Sequence, residues 1–173
     1  MDYMTRRSIR KYKEKEVEKE KIDDLIKSGL VAPTGRNNHC TEFVVVDNKE
    51  IIEYLSNVRA VGSQFLKGAP LVIAVLGKKE KSTTLIPDCS IAAFAIQMRA
   101  HEIGLGSCWV HMQDRKSADG QDSEELVKAK LNIPDGYIVM CLLGIGYPNE
   151  EKPAHTLSEI DFNRVSYNNF NNK

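Results

Sequence analysis

From Asp88 to Ile103 the chain carries apolar side chains almost all the way round one helical stretch: Ile91, Ala92, Ala93, Phe94, Ala95, Ile96 and Met98. A helix that is apolar on every side cannot face water, so it is buried in a core or against a second subunit. In a chain of 173 residues that requirement shapes everything else. The length gives one domain with a sizeable core and is short for two.

The neighbouring segments supply what could cover such a helix. Val17 to Val31 puts Ile22, Leu25, Ile26, Gly29 and Leu30 on one helical face, and Pro33 blocks continuation. Phe43-Val44-Val45-Val46, within Glu42 to Asp47, reads as a short buried strand. A helix through Ile51, Ile52, Tyr54 and Leu55 follows, then an apolar strand over Leu71 to Leu76, introduced by Pro70 and closed by Gly77. Beyond the long helix come a strand over Ser107 to Val110, an amphipathic helix over Ser123 to Leu131 and a strand over Tyr137 to Leu143. The pattern predicts one α+β domain over residues 1–173 with about four strands, ending in a polar tail from about residue 157 that docks on something or stays disordered.

Composition removes several classes of function. Lysine plus arginine equals aspartate plus glutamate at 24 each, which argues against general nucleic-acid or membrane-surface binding. No run is long enough to span a bilayer, and Met1-Asp2-Tyr3-Met4-Thr5-Arg6 has no apolar stretch behind its charges to make a secretory leader. Cys40, Cys89, Cys108 and Cys141 are far apart, which suits reduced thiols in a cytoplasmic protein and implies no zinc site. Gly104-Leu105-Gly106 and Gly144-Ile145-Gly146 both lack the third glycine of a dinucleotide turn. There is no phosphate-binding P-loop, no second histidine four residues after His101, and no serine in a nucleophile elbow.

Against this neutral background, Arg6-Arg7-Ser8-Ile9-Arg10 concentrates three guanidinium groups and a hydroxyl. Guanidinium forks match phosphate oxygens bidentately, so the segment suits one phosphate group; it would equally suit a solvated basic tail. Three further segments bear on the choice. Ala32-Pro33-Thr34-Gly35-Arg36-Asn37 follows the first helix, Gly104-Leu105-Gly106-Ser107-Cys108-Trp109 follows the long apolar helix, and Leu143-Gly144-Ile145-Gly146-Tyr147-Pro148 follows the last strand. In this order and spacing, from about Tyr3 to Pro148, the four segments resemble the nitroreductase family of FMN-dependent oxidoreductases, in its short members.

The resemblance implies a nitroreductase-like α+β fold: a central mixed β-sheet flanked by helices, in an intertwined homodimer with one FMN in each of two interface sites. It implies that Arg6, Ser8 and Arg10 hold the FMN phosphate and ribityl chain, with Arg7 adding main-chain or guanidinium contacts. Pro33, Thr34 and Asn37 would reach the flavin from the partner subunit, although Pro and Gly also simply stop helices. Trp109, Val110, His111 and Met112 would pass one face of the ring system and offer a backbone N–H to N5; Trp109 reads equally well as a core aromatic. Arg7 or Arg10 is a candidate cation near N1–O2 of the flavin. The long apolar helix would lie in the dimer core.

The activity implied is ping-pong oxidoreduction, with NADH or NADPH as transient donor and a small oxidised acceptor such as a nitroaromatic or quinone. A non-catalytic flavin sensor or store, and a small nucleotide- or nucleic-acid-binding module, are the other readings; the last is disfavoured by an aromatic content of 7%. The sequence departs from the family pattern at His39-Cys40-Thr41, where many members have Gln-Pro-Trp. It departs again after Pro148, where Glu150 and Glu151 replace a basic pair and leave Lys152, His155 and Arg164 as the cations that could complete a phosphate site.

Overall fold

The computed structural model describes residues 2–170, so the last three residues of the expected tail lie outside the described residues. Four strands, β1 (Thr41–Val46), β2 (Leu71–Lys78), β3 (Gly106–His111) and β4 (Tyr137–Gly146), form a sheet in the order β1-β2-β4-β3. β2 and β4, the most continuously apolar runs, take the centre, where both faces are buried. Along β2, Leu71, Ile73 and Val75 enter one core and Val72, Ala74 and Leu76 the other, as the two-residue side-chain period requires. The β2–β4 register shifts between Val75 and Leu76, pairing them with Cys141 and Val139 and leaving Met140 as an extra residue on β4.

Helices cover both faces. α1 (Lys19–Leu30) and α3 (Leu85–Glu102) pack on one side through Leu25, Cys89, Ala93, Ile96 and Ala100. α2 (Lys49–Ser56) and α4 (Ser123–Leu131) pack on the other through Ile52, Leu55 and Val127. The starts of α2 and α4 are sealed by Asn48, whose side chain accepts from Ile51 N, and Asp122, which accepts from Glu124 N and Glu125 N.

The α+β architecture is as expected, with differences of detail. The resemblance implies a mixed sheet, but all the ladders are antiparallel, and among the described residues the parallel element is one bridge between Ser8 and Ser107. The long helix begins at Leu85 rather than Asp88, because Pro87 sits in the first turn, where its missing N–H is not needed. Leu30, which the helical pattern places on the buried face of α1, is the last residue of that helix and is exposed. The helix that is apolar all round packs one side on the core and leaves Ile91 and Phe94, 42% and 49% exposed, on its outer side.

Candidate functional site

The basic N-terminal segment is not a free tail. Ile9 N donates to Ser107 O at 3.0 Å, Lys13 N to Tyr147 O at 2.9 Å and Asn149 N to Lys11 O at 2.9 Å, so residues 8–13 run from the outer edge of β3 to the end of β4. Two features fasten them. Gly106 lets Ile9 lie flat on β3, since a Cβ at Gly106 would stand 2.7 Å from the Cβ of Ile9. The buried Tyr12 hydroxyl lies 2.6 Å from Ile9 O and 2.9 Å from Gly144 O, and burial pushes its pKa far up, so it stays a donor.

Alternation along an extended segment then separates the side chains. Ile9 turns into the protein, while Arg6, Ser8 and Arg10 gather with Lys152 around the buried Cys108 thiol. Burial raises the pKa of that thiol, and Arg10, Ser8, Lys152 and Arg6 pull the other way. Arg10 lies over the Phe65 ring, 5.9 Å from its centroid. A cleft of about 150 Å3 opens on the Arg6 and Lys152 side of this group, lined in part by Arg6, Arg7, His101, Glu150 and Lys152, with Ser8 and Arg10 outside its lining. Arg7 departs from the set, because its guanidinium donates to Pro153 O and ties down the strand's C-terminal extension.

Of the three cations left open after Pro148, Lys152 joins the cleft. His155 pairs with Glu159 at 2.6 Å, and Arg164 is exposed on the tail. Glu150, which reads from sequence as poor company for a phosphate, is occupied with the backbone: its Oε1 accepts from Arg10 N at 2.5 Å and Lys11 N at 3.0 Å. The Arg10 amide foremost holds this carboxyl below the usual range, so it clasps the basic segment as an anion. Neither this clasp nor the Tyr12 latch has a local sequence signal, since both join residues more than a hundred positions apart.

Val110 and Met112 are fully buried in the second core and can offer a ligand only main chain. Trp109 and His111 emerge on the other face, stacked with centroids 6.4 Å apart, and Trp109 also packs against the first core. Burial first, then Arg115 and Arg59, lowers the His111 pKa, keeping its imidazole neutral near pH 7. Met112 N bonds to Met140 O of β4, whereas Ser107 O accepts from Ile9 on the opposite side. Alternation therefore turns the main-chain groups of Trp109 and His111 to the outer edge of β3.

Pro33 and Asn37 are exposed, while Thr34 is half-buried with its Oγ1 accepting from His39 N at 3.2 Å. This loop enters β1 opposite Gly77, whereas the basic segment docks where Gly106 pairs with Gly146. The two lie at opposite edges and opposite ends of the sheet, about 25 Å apart by strand spacing and rise. One chain does not bring Pro33, Thr34 and Asn37 together with Arg6, Ser8 and Arg10.

The sheet, its two helical layers and the edge-docked basic segment define a known class. The model of the Nitroreductase family matches residues 3–61 and 54–147, so the chain belongs to the nitroreductase family of oxidoreductases. Among solved structures it is similar to an FMN-dependent nitroreductase from Clostridium difficile R20291, with 46% identity and a TM-score of 0.94 over 96% of this chain and 97% of that one. It is also similar to a protein from Clostridium acetobutylicum described as an NADH oxidase, at 32% identity and TM-score 0.86 over 96% and 98% of the two chains. A curated relative from Methanothermobacter thermautotrophicus, named an NADH dehydrogenase/NAD(P)H nitroreductase, is 33% identical over 91% of this chain and 81% of its own length. No helix among the described residues is long and apolar enough to cross a membrane.

Proposed function

We propose that the chain is an FMN-dependent NAD(P)H oxidoreductase that works as a homodimer in the cytoplasm, its 173 residues forming one domain. The observation that carries this reading is the gathering of Arg6, Ser8, Arg10 and Lys152 at the outer edge of β3, beside main-chain groups of Trp109 and His111 turned to the same edge. Three cations and a hydroxyl fit a phosphate monoester, the terminal group of FMN. Bound FMN would supply the hydride and electron chemistry, taking electrons from NADH or NADPH and passing them to a small oxidised acceptor such as a nitroaromatic or quinone.

The residues of the chain bind and orient. Arg6, Ser8, Arg10 and Lys152 hold the phosphate, and Arg7 and Glu150 keep that segment in place. The β3 edge offers the His111 N–H as a donor, and the neutral His111 and Trp109 rings flank it. The Arg7 guanidinium is engaged by Pro153 O and so is not the cation near the flavin ring. Pro33, Thr34 and Asn37 complete the site from the partner subunit, which accounts for their separation from the basic segment within one chain. The exposed Ile91 and Phe94 on α3, with exposed Leu157, Phe162 and Tyr167 on the tail, supply apolar surface for that partner.

The test is the visible spectrum of the purified protein with added FMN, followed by anaerobic addition of NADH or NADPH. A yellow protein that bleaches with the donor and recolours with a quinone is expected. A yellow protein that never bleaches is a flavin carrier without this activity. A protein that takes up no flavin at any concentration refutes the proposal.

A further inference from the structure

Three of the four residues Arg36, Asn37, Asn38 and His39 that close the loop between α1 and β1 are left-handed: Arg36, Asn37 and His39 have φ of 53°, 55° and 48°. Such a conformation is costly for residues with a side chain, and three in one short loop persist only where the surroundings over-determine them. The loop's own bonds account for part of this, through Asn37 N to Thr34 O at 3.0 Å and Cys40 N to the Asn38 side chain at 3.2 Å. Its entrance and exit are both held by one side chain outside it.

We propose that Asp88, in the first turn of α3, is the positioning residue that holds this loop in the shape with which it meets the flavin of the partner subunit; this rests on the functional reading above. Asp88 Oδ1 accepts from Gly35 N at 2.9 Å, and Oδ2 accepts from the Cys40 thiol at 3.2 Å, so one carboxylate joins the loop's entrance to its exit. Ser82 and Thr84 donate to Oδ2 at 2.8 and 3.1 Å and orient the group. Asp88 is 3% exposed. Burial by itself would raise its pKa, but the Gly35 N–H, Ser82, Cys40 and Thr84 outweigh it, and the group remains an anion. The loop is also pressed onto Thr84, for a Cβ at Gly35 would stand 2.1 Å from the Thr84 hydroxyl oxygen.

The placement has a consequence for assembly. α3 carries the exposed Ile91 and Phe94 on its outer side, so the carboxylate fixes the loop to the same helix that presents the apolar strip. When a partner docks on that strip, Asp88 fixes where Asn37 and Pro33 arrive relative to the partner's flavin. Asp88 touches neither flavin nor substrate; it acts through the loop.

Amide hydrogen exchange of the dimer, with and without FMN, tests this in Asp88→Asn, Cys40→Ala and Cys40→Ser. Asp88→Asn is expected to raise exchange at Gly35, Asn37, Asn38 and His39 at least tenfold while β2 and β4 stay protected. It should also change the visible circular dichroism of bound flavin and raise the KM for NAD(P)H several-fold at unchanged FMN stoichiometry. Cys40→Ala should give a weaker version, and Cys40→Ser, which keeps a donor, should restore it. Unchanged loop exchange overturns the proposal, as does loosening that spreads equally to β2 and β4, which would make Asp88 merely structural. A loosened loop with an unaltered flavin spectrum overturns the positioning role while leaving FMN binding by the basic segment intact. Absence of flavin binding in the unsubstituted protein instead refutes the functional reading itself. If Asp88→Asn does not fold, the Cys40 pair decides through the same exchange measurement.

Discussion

Replacing Gly106 by alanine puts a methyl group where Ile9 already lies. The new carbon would stand 2.7 Å from Ile9 Cβ, 2.8 Å from Cγ2 and 2.9 Å from Cγ1, against about 3.5–4.0 Å for an ordinary carbon contact. Rotation about χ1 cannot relieve this, because Cβ is itself one of the clashing atoms. The backbone of residues 8–10 must move out by about 1 Å, which breaks the 3.0 Å bond from Ile9 N to Ser107 O. Overpacking costs about 1–3 kcal/mol and the lost hydrogen bond about 1 kcal/mol. Undocking the segment is the cheapest response, so the damage falls on flavin binding more than on the core. About 2 kcal/mol carried into the proposed phosphate site would weaken FMN about thirtyfold, measurable by quenching of flavin fluorescence. Gly104→Ala is the control two residues away. Its φ of 78° strains an alanine, yet nothing lies within 4 Å of the new Cβ, so it costs about 1 kcal/mol of stability and leaves FMN affinity alone. Unchanged FMN binding in Gly106→Ala, or equal losses in both variants, would refute the reasoning.

Three other outcomes are expected. Arg6→Ala and Arg10→Ala should each weaken FMN at least tenfold in the same titration, by loss of charge-assisted bonds worth about 1.5–3 kcal/mol, with little change in the urea midpoint of the flavin-free protein. Glu150 has a folded pKa held below its ordinary 4.5, so its contribution is fully present above pH 4.5 and disappears as pH falls through the lower folded value; Glu150→Gln should lack that part of the acid limb when urea midpoints are compared from pH 6 downward. Phe94→Glu places a charge on the outer strip of α3 and should yield monomers in sedimentation that hold no flavin; a stable yellow dimer would remove α3 from the interface.

Local pattern is enough to read the elements of this protein, because apolar period and helix-stopping residues act over short distances. α4 runs over Ser123–Leu131 as its amphipathic pattern indicates, and the apolar run after Pro70 becomes the central β2. The four spaced segments likewise carry the family assignment and direct attention to Arg6, Ser8 and Arg10. Strand order, the antiparallel character of every ladder and the extra residue at Met140 were not legible, since they depend on which strands meet across long separations. The same reason hid the use of Glu150 and Asp88: a carboxylate 140 residues from the Arg10 amide it binds, or 53 residues from the Gly35 amide, has no periodic signature. What the amino-acid order determined alone is where the chain is helical, extended or cationic. Only the tertiary structure decided that the cations share one sheet edge and that the loop lies at the opposite one, because packing across the sheet, not proximity along the chain, sets those distances.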